Sequence, residues 1–316
     1  MGRSGRDEAN CWRTAGLMAT PSRIVDAHHH LWDLQQRHHY PWLMERGVVR
    51  FFGNPALIQK DYLVSDFRED IADLPVCKSV HVQVGVSPGD EVAESKWLGA
   101  HAGGAGLPTA IVAFADLCAP NLPYVLDAHG EVPQFRGVRQ IIGRSSEEDK
   151  ATGSANLLDN PQFLQGLAIL AERGLSFDLQ LIPAQMMRAA DLLAKVEHLP
   201  VAICHAGSLS SFSPESFSQW RRGMRKLAEL PHTICKVSGF GMFDKRWSVQ
   251  SVTDQLRVVL DLFGPERIAF GSNFPVDSLA TTYQQVWARF AQLAGSLDQG
   301  EVDSVHAGTA EAFYRI

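Results

Sequence analysis

No run of apolar residues in this 316-residue chain approaches the ~18 needed to cross a membrane as a helix, and its N-terminus has no signal-peptide hydrophobic core. A membrane is therefore not an expected partner. There is no basic run either: 29 Lys+Arg against 35 Asp+Glu leave a net charge of −6, which offers nothing to neutralise a phosphate backbone and excludes nucleic acid as a partner. Cysteine is sparse. The five residues Cys11, Cys77, Cys118, Cys204 and Cys235 are odd in number, scattered and free of any Cys-x-x-Cys, so reduced thiols in a cytoplasmic setting are expected, with Cys204 and Cys235 as small core hydrophobes. Internal repeats and Ser/Gly linkers are also missing. Residues 1–20 are polar and aperiodic and read as a disordered extension, and residues 21–316 read as one domain.

What is present is a large core, with 45% hydrophobic residues, and one conspicuous stretch, Ile24-Val25-Asp26-Ala27-His28-His29-His30-Leu31-Trp32-Asp33. As a strand it alternates, placing Ile24, Asp26, His28 and His30 on one face and His29 on the other. His28 and His30 then stand roughly 7 Å apart at Cα, close enough for two imidazoles to converge on one metal ion. Asp33 is expected to orient a histidine or cap a turn. Seven further apolar runs follow, at residues 79–84, 109–116, 135–141, 176–181, 200–205, 233–238 and 267–273. Helix-like segments separate them, at 91–102, 161–174, 183–197, 214–230, 251–263 and 278–294, with Asn160-Pro161 and Ser213-Pro214 as starts. Eight alternations of strand and helix predict an α/β fold, a single (β/α)8 TIM barrel. The long segment after the first strand, with Tyr40-Pro41-Trp42 and Phe51-Phe52, is expected to build a substrate wall or lid.

The chemistry of such a barrel lies at the C-terminal ends of its strands. Alternation there brings His28, His30, Gln83, Arg139, Asp178, Gln180, His205, Lys236, Ser238 and Asn273 to one mouth. Each alone has a structural reading, as a buried ion pair or a backbone partner; together they must satisfy one another, water, a metal or a ligand. Arg139 and Lys236 suit an anionic group, with Gln83, Gln180 and Ser238 beside them as substrate-binding groups. The imidazoles suit a divalent ion, and Asp178 a proton. A small carboxylate or lactone substrate fits these groups. His101, His129, His198, His232 and His306 are expected at the surface; His38-His39 lie in the long segment after the first strand, from which the mouth is reachable but is not their expected place.

On these motifs the chain resembles the amidohydrolase-related family of metal-dependent TIM-barrel hydrolases. The likeness runs through Gly137-Val138-Arg139, His205-Ala206-Gly207, Lys236-Val237-Ser238-Gly239 and Gly271-Ser272-Asn273-Phe274-Pro275. Within the family it looks closest to the branch of sugar-acid lactonases, of fuconolactonase and rhamnonolactonase type, and relatives opening pyrone or muconolactone rings. The resemblance implies that His28 and His30 match the first-strand metal ligands, His205 the sixth-strand histidine and Asn273 the eighth-strand acid. Family members carry Asp at that last position. Asn273 cannot take up a proton and is a poorer cation ligand, and strand five lacks the histidine of binuclear relatives. One divalent ion, zinc, weakly held, is therefore expected, with the general base moved to Asp178 or His205. Lactone hydrolysis is the leading expectation, against a non-hydrolytic decarboxylase and a ligand-binding pseudoenzyme.

Overall fold

The computed structural model describes residues 20–35 and 39–316, so the N-terminal extension expected over 1–20 lies, but for Thr20, outside the described residues, as does His38. Eight strands form one parallel sheet in sequence order: β1 (Ile24–His29), β2 (Val76–Val82), β3 (Ala110–Ala113), β4 (Phe135–Val138), β5 (Ser176–Leu179), β6 (Val201–Ile203), β7 (Thr233–Val237) and β8 (Ile268–Phe270). Beyond the last strand residues the sheet is drawn round on itself, as Asn273 N–H donates to His28 O at 2.7 Å and His30 N–H to Phe274 O at 2.7 Å. One main helix follows each strand: α1 (Val64–Ile71), α2 (Glu91–Ala105), α3 (Leu122–Gly130), α4 (Pro161–Glu172), α5 (Met186–Leu193), α6 (Pro214–Ala228), α7 (Val249–Phe263) and α8 (Tyr283–Leu293). The expected (β/α)8 TIM barrel is the fold.

Helix starts follow local chemistry. Asn160 caps α4 by accepting from Gln162 N–H with Pro161 at the first position, and Ser213 caps α6 by accepting from Ser216 N–H. Two expected helices are shorter than their apolar period suggested. The 183–197 segment opens as a 3₁₀ turn before α5, and the 278–294 segment divides where Thr282 caps α8 by accepting from Gln285 N–H.

The barrel interior is small. Val25, Ala27, Val80, Val82, Ala110 and Val112 are among its residues, and the shaft they leave is filled from the N-terminal end by Tyr314. The segment carrying Tyr314 is held there by Glu311, which pairs with Arg23 at 2.7 Å and Lys78 at 2.9 Å. Around the sheet, a larger apolar layer joins strand and helix faces and includes the fully buried Trp32, Trp220, Trp247 and Trp287. Two expected surface histidines belong inside. His129 is bonded to Ser95 Oγ and Phe114 O, and His306 packs against Phe270. Both lie on helix faces turned to the core, where each imidazole finds polar partners, His306 by donating Nδ1–H to Val302 O at 2.9 Å.

Candidate active site

The first strand departs from strict alternation. Asp26 pairs with Ser79 and His29 with His81, so β1 advances three residues while β2 advances two. This bulge changes which residues face inward. Val25 and Ala27 point into the barrel, while the Asp26 carboxylate turns to the outer layer and accepts from Ser272 Oγ at 2.6 Å, Ser272 N–H at 2.9 Å and Tyr283 OH at 3.0 Å. The shared face of Ile24, Asp26, His28 and His30 expected from period two is thus broken between Asp26 and His28. Burial raises Asp26 to about 6 even against those hydrogen bonds.

Beyond the bulge, His28 and His30 come together with ring centroids 5.1 Å apart, and His205 lies 4.6 Å from His28. His29 points away and stacks on Phe67 at 4.2 Å. His28 is fully buried, and neither of its ring nitrogens has a hydrogen-bond partner among the described residues. His30 donates Nδ1–H to Val82 O at 2.7 Å, which leaves Nε2 a bare lone pair 3.3 Å from Asn273 Oδ1. Burial, then nearby Arg139, holds His30 down at about 3; burial and the neighbouring cations hold His28 and His205 well below the usual imidazole range. All three are therefore neutral at pH 7. Converging neutral imidazoles with unused lone pairs are the donor set of a divalent ion.

His205 and Asn273 are placed by backbone that few side chains adopt. Both are left-handed, with φ of +54° and +57°. β6 ends at Ile203 and β8 at Phe270, so neither residue is oriented by strand alternation. His205 Nδ1 bonds Ser238 Oγ at 3.0 Å, and a Cβ on Gly239, which has φ of +70°, would lie 2.5 Å from that nitrogen. Only glycine fits there.

A cavity of about 310 Å³ opens at this end of the barrel. Of the residues expected at the mouth, His30, Gln83, Arg139, Gln180, His205 and Asn273 line it. Arg139 gives its hydrogen bonds to neutral acceptors, Gln180 Oε1 at 3.1 Å and Gln83 O at 2.5 Å, so its charge is held firmly beside the cavity. Four expected residues are not on the wall. His28 sits just beneath it, and Ser238 is spent on His205. Asp178 and Lys236 are wholly buried in a pair of their own below the imidazoles, with Tyr314 OH on both Asp178 oxygens at 3.1 and 3.0 Å and Lys236 Nζ also on Ala27 O at 3.3 Å. Alternation does point these two inward, but at a depth that Tyr314 fills. Contact of Lys236 with substrate, and proton transfer by Asp178, are both opposed by that placement. Cys204, expected as plain core, has its thiol 4.0 Å from Asp178 and pushed up to about 11 by burial; His28, Asp178 and Cys204 hold ligand atoms within 4.8 Å of one another. A dication at that triad would compete with the Lys236 ammonium, which favours the His28–His30–Asn273 side.

The segment between β1 and β2 forms one wall, as its aromatics suggested. Trp42 Nε1–H donates to Val84 O at 2.6 Å, Phe51 N–H to Glu148 Oε1 at 3.2 Å, and Phe51 packs 6.1 Å from Phe243. Arg50, Arg144, Glu148 and Met242 also line the cavity and went unread in the sequence. Arg144 lies five residues past Arg139, beyond the end of β4, where no strand pattern reaches. His39 instead bonds Ser87 Oγ at 2.6 Å, and Asp33 caps a turn by accepting from Gln35 N–H at 3.0 Å.

Residues 25–316 match the amidohydrolase family. The chain is 34% identical over 294 residues to the uncharacterized protein y4mH of Sinorhizobium fredii, covering 93% of this chain and 98% of that one. It is 27% identical over 304 residues to an L-fucono-1,5-lactonase of Burkholderia multivorans, covering 92% and 96%. A zinc-bound amidohydrolase structure from Burkholderia multivorans superposes with a TM-score of 0.79 at 26% identity, covering 93% of this chain and all 100% of that one. Its barrel and its match from Val25 to the last residue make this chain a member of the amidohydrolase family, an enzyme of hydrolase type.

Proposed function

We propose that the chain is a metal-assisted hydrolase of a small carboxylic ester, a lactone. One observation carries the reading: the lone pair of His30 and the guanidinium of Arg139 face the same cavity, with the unpartnered His28 directly beneath. A lactone is neutral and its hydrolysis product is a carboxylate, so a cation held between neutral partners suits the charge that develops. The similarity to L-fucono-1,5-lactonases supports the same class.

The residues fit one divalent ion, with His28 and His30 as ligands and Asn273 Oδ1 as a neutral oxygen beside them; zinc matches the imidazole donors. When bound, the ion polarises the ester carbonyl and acidifies water. Arg139 holds the developing oxyanion. Gln83 and Gln180 orient the ring oxygens, and the Trp42, Phe51 and Phe52 wall excludes bulk water. His205 Nε2, with Nδ1–H directed at Ser238, accepts the proton of the attacking water. A bond forms from water oxygen to the carbonyl carbon, the bond to the ring oxygen breaks, and His205 returns the proton to that oxygen.

The test is a panel of sugar-acid lactones assayed by pH indicator, in protein stripped by chelator and then given zinc. Zinc-restored ring opening is expected, reduced about 10²- to 10³-fold in Arg139→Met. No lactone turnover, with CO2 release from an aromatic carboxylate instead, would overturn it in favour of a decarboxylase.

A further inference from the structure

Asn273 and Asp277 stand one turn apart just past β8, and the bonds between them decide which end of an amide faces the cavity. The stem of Asn273 is fixed by its left-handed backbone and by its N–H on His28 O, so only the amide plane remains to be set. Asp277 is buried behind it, and both carboxylate oxygens accept: Oδ2 from Gly241 N–H at 3.1 Å and Oδ1 from Asn273 Nδ2 at 2.8 Å. This approach needs Gly241, because a Cβ there would lie 3.1 Å from the carboxylate and 2.8 Å from Ala280 Cβ.

The two ends of an amide are nearly the same size and opposite in function. With a carboxylate behind it, the NH₂ end is claimed, and Oδ1 is turned to His30 Nε2 at 3.3 Å. Both atoms offer lone pairs, since the His30 Nδ1–H is spent on Val82 O. They gain nothing from each other, and both are available to a cation. Turned over, the same amide would donate N–H to His30 Nε2 and cap the nitrogen that binds metal.

We propose that Asp277 is a positioning residue that locks the Asn273 amide with its oxygen toward the cavity and so keeps His30 Nε2 open to metal; this rests on the metal reading above. Asp277→Asn is the sharp test. Gly241 N–H can only donate, so the new side chain must turn its oxygen to Gly241 and its NH₂ to Asn273, which forces the Asn273 amide over.

Wild type, Asp277→Asn, Asn273→Ala and Asn273→Ala/Asp277→Asn are compared, with circular dichroism and thermal midpoint as the check of folding. Zinc affinity is read by competition with a chromophoric chelator, and the ¹⁵N shift of His30 Nε2 is read in metal-free protein. Asp277→Asn is expected to weaken zinc by about 10- to 100-fold and to move the Nε2 signal to the hydrogen-bonded range, while the double variant binds zinc as Asn273→Ala does. An unchanged Nε2 signal overturns the proposal, as does equal weakening with and without the Asn273 amide. If wild type takes no zinc the metal reading fails, and the metal-free Nε2 comparison still decides what Asp277 does.

Discussion

Lys236→Met separates two accounts of the buried ammonium. From the sequence, Lys236 is a substrate-binding cation; in the structure it is 0% exposed, paired with Asp178, bonded to Ala27 O and 5.7 Å above the Tyr314 ring. If its role is to neutralise Asp178 beneath the site, removing it strands a carboxylate in the barrel shaft with the neutral Tyr314 hydroxyl and the distant Cys204 thiol as its partners. Breaking a buried pair from one side costs about 3–5 kcal/mol. For a chain of this length the unfolding entropy makes that about a 5–8 °C fall in thermal midpoint. Removing both charges with Asp178→Leu/Lys236→Met takes away the stranded group as well, so the midpoint should recover most of the loss. Lactone turnover in the folded double variant should then stay within about tenfold of wild type, because neither group touches the cavity. Differential scanning calorimetry together with steady-state assays at fixed zinc measures both quantities. A Lys236→Met protein of undiminished stability whose KM rises steeply would refute the structural account and return Lys236 to the substrate.

Two further outcomes follow from local geometry. Gly239→Ala places a methyl 2.5 Å from His205 Nδ1 at a φ of +70°, and should lower turnover by more than about tenfold while the fold survives, read by activity against thermal midpoint. His306 is held down at about 4 by burial, so its neutral form contributes stability that is full above the unfolded imidazole value near 6.5 and is lost as pH falls toward 4; His306→Phe should remove about 2 kcal/mol of the drop in unfolding free energy between pH 7.5 and 5, measured by urea titration, and an unchanged slope would exclude His306 as a contributor.

The barrel was legible because eight apolar runs alternated with capped helices, and the positions of Arg139, Gln180 and His205 could be read as the ends of those runs. The route to the right residues was nevertheless not the one alternation describes. Arg139, Gln180, His205 and Asn273 all lie past the last residue of their strands, where side-chain direction is set by turns and not by the pleat. Period two gave His28 and Asp26 one face; the bulge gave them opposite ones. Depth was equally invisible. Asp178 and Lys236 do point into the barrel, yet whether an inward residue reaches the cavity or the shaft depends on how far Tyr314 penetrates from the opposite end, a contact 136 residues away in sequence from Asp178. Arg144 and Arg50 sit on loops with no period at all.

Four left-handed residues cluster at the cavity end of the barrel. Among the described non-glycine residues with positive φ, His205, Ala206 and Ser208 follow β6 and Asn273 follows β8, while His198 precedes β6 and Arg315 ends the last helix. Such conformations cost on the order of 1–3 kcal/mol each and persist only where the surroundings fix them. Here the surroundings are specific: Trp220 Nε1–H and Gln255 Nε2–H both donate to Ala206 O, at 2.8 and 3.3 Å, and Gly207 leaves space taken up by Met186 and Met224. The strained turn sets the direction of one imidazole, 4.6 Å from His28 and on the wall of the cavity that His30 also lines. The strain at His205, Ala206, Ser208 and Asn273 therefore lies where two of them, His205 and Asn273, line the cavity, and the closely packed barrel beneath supplies the stability that offsets it.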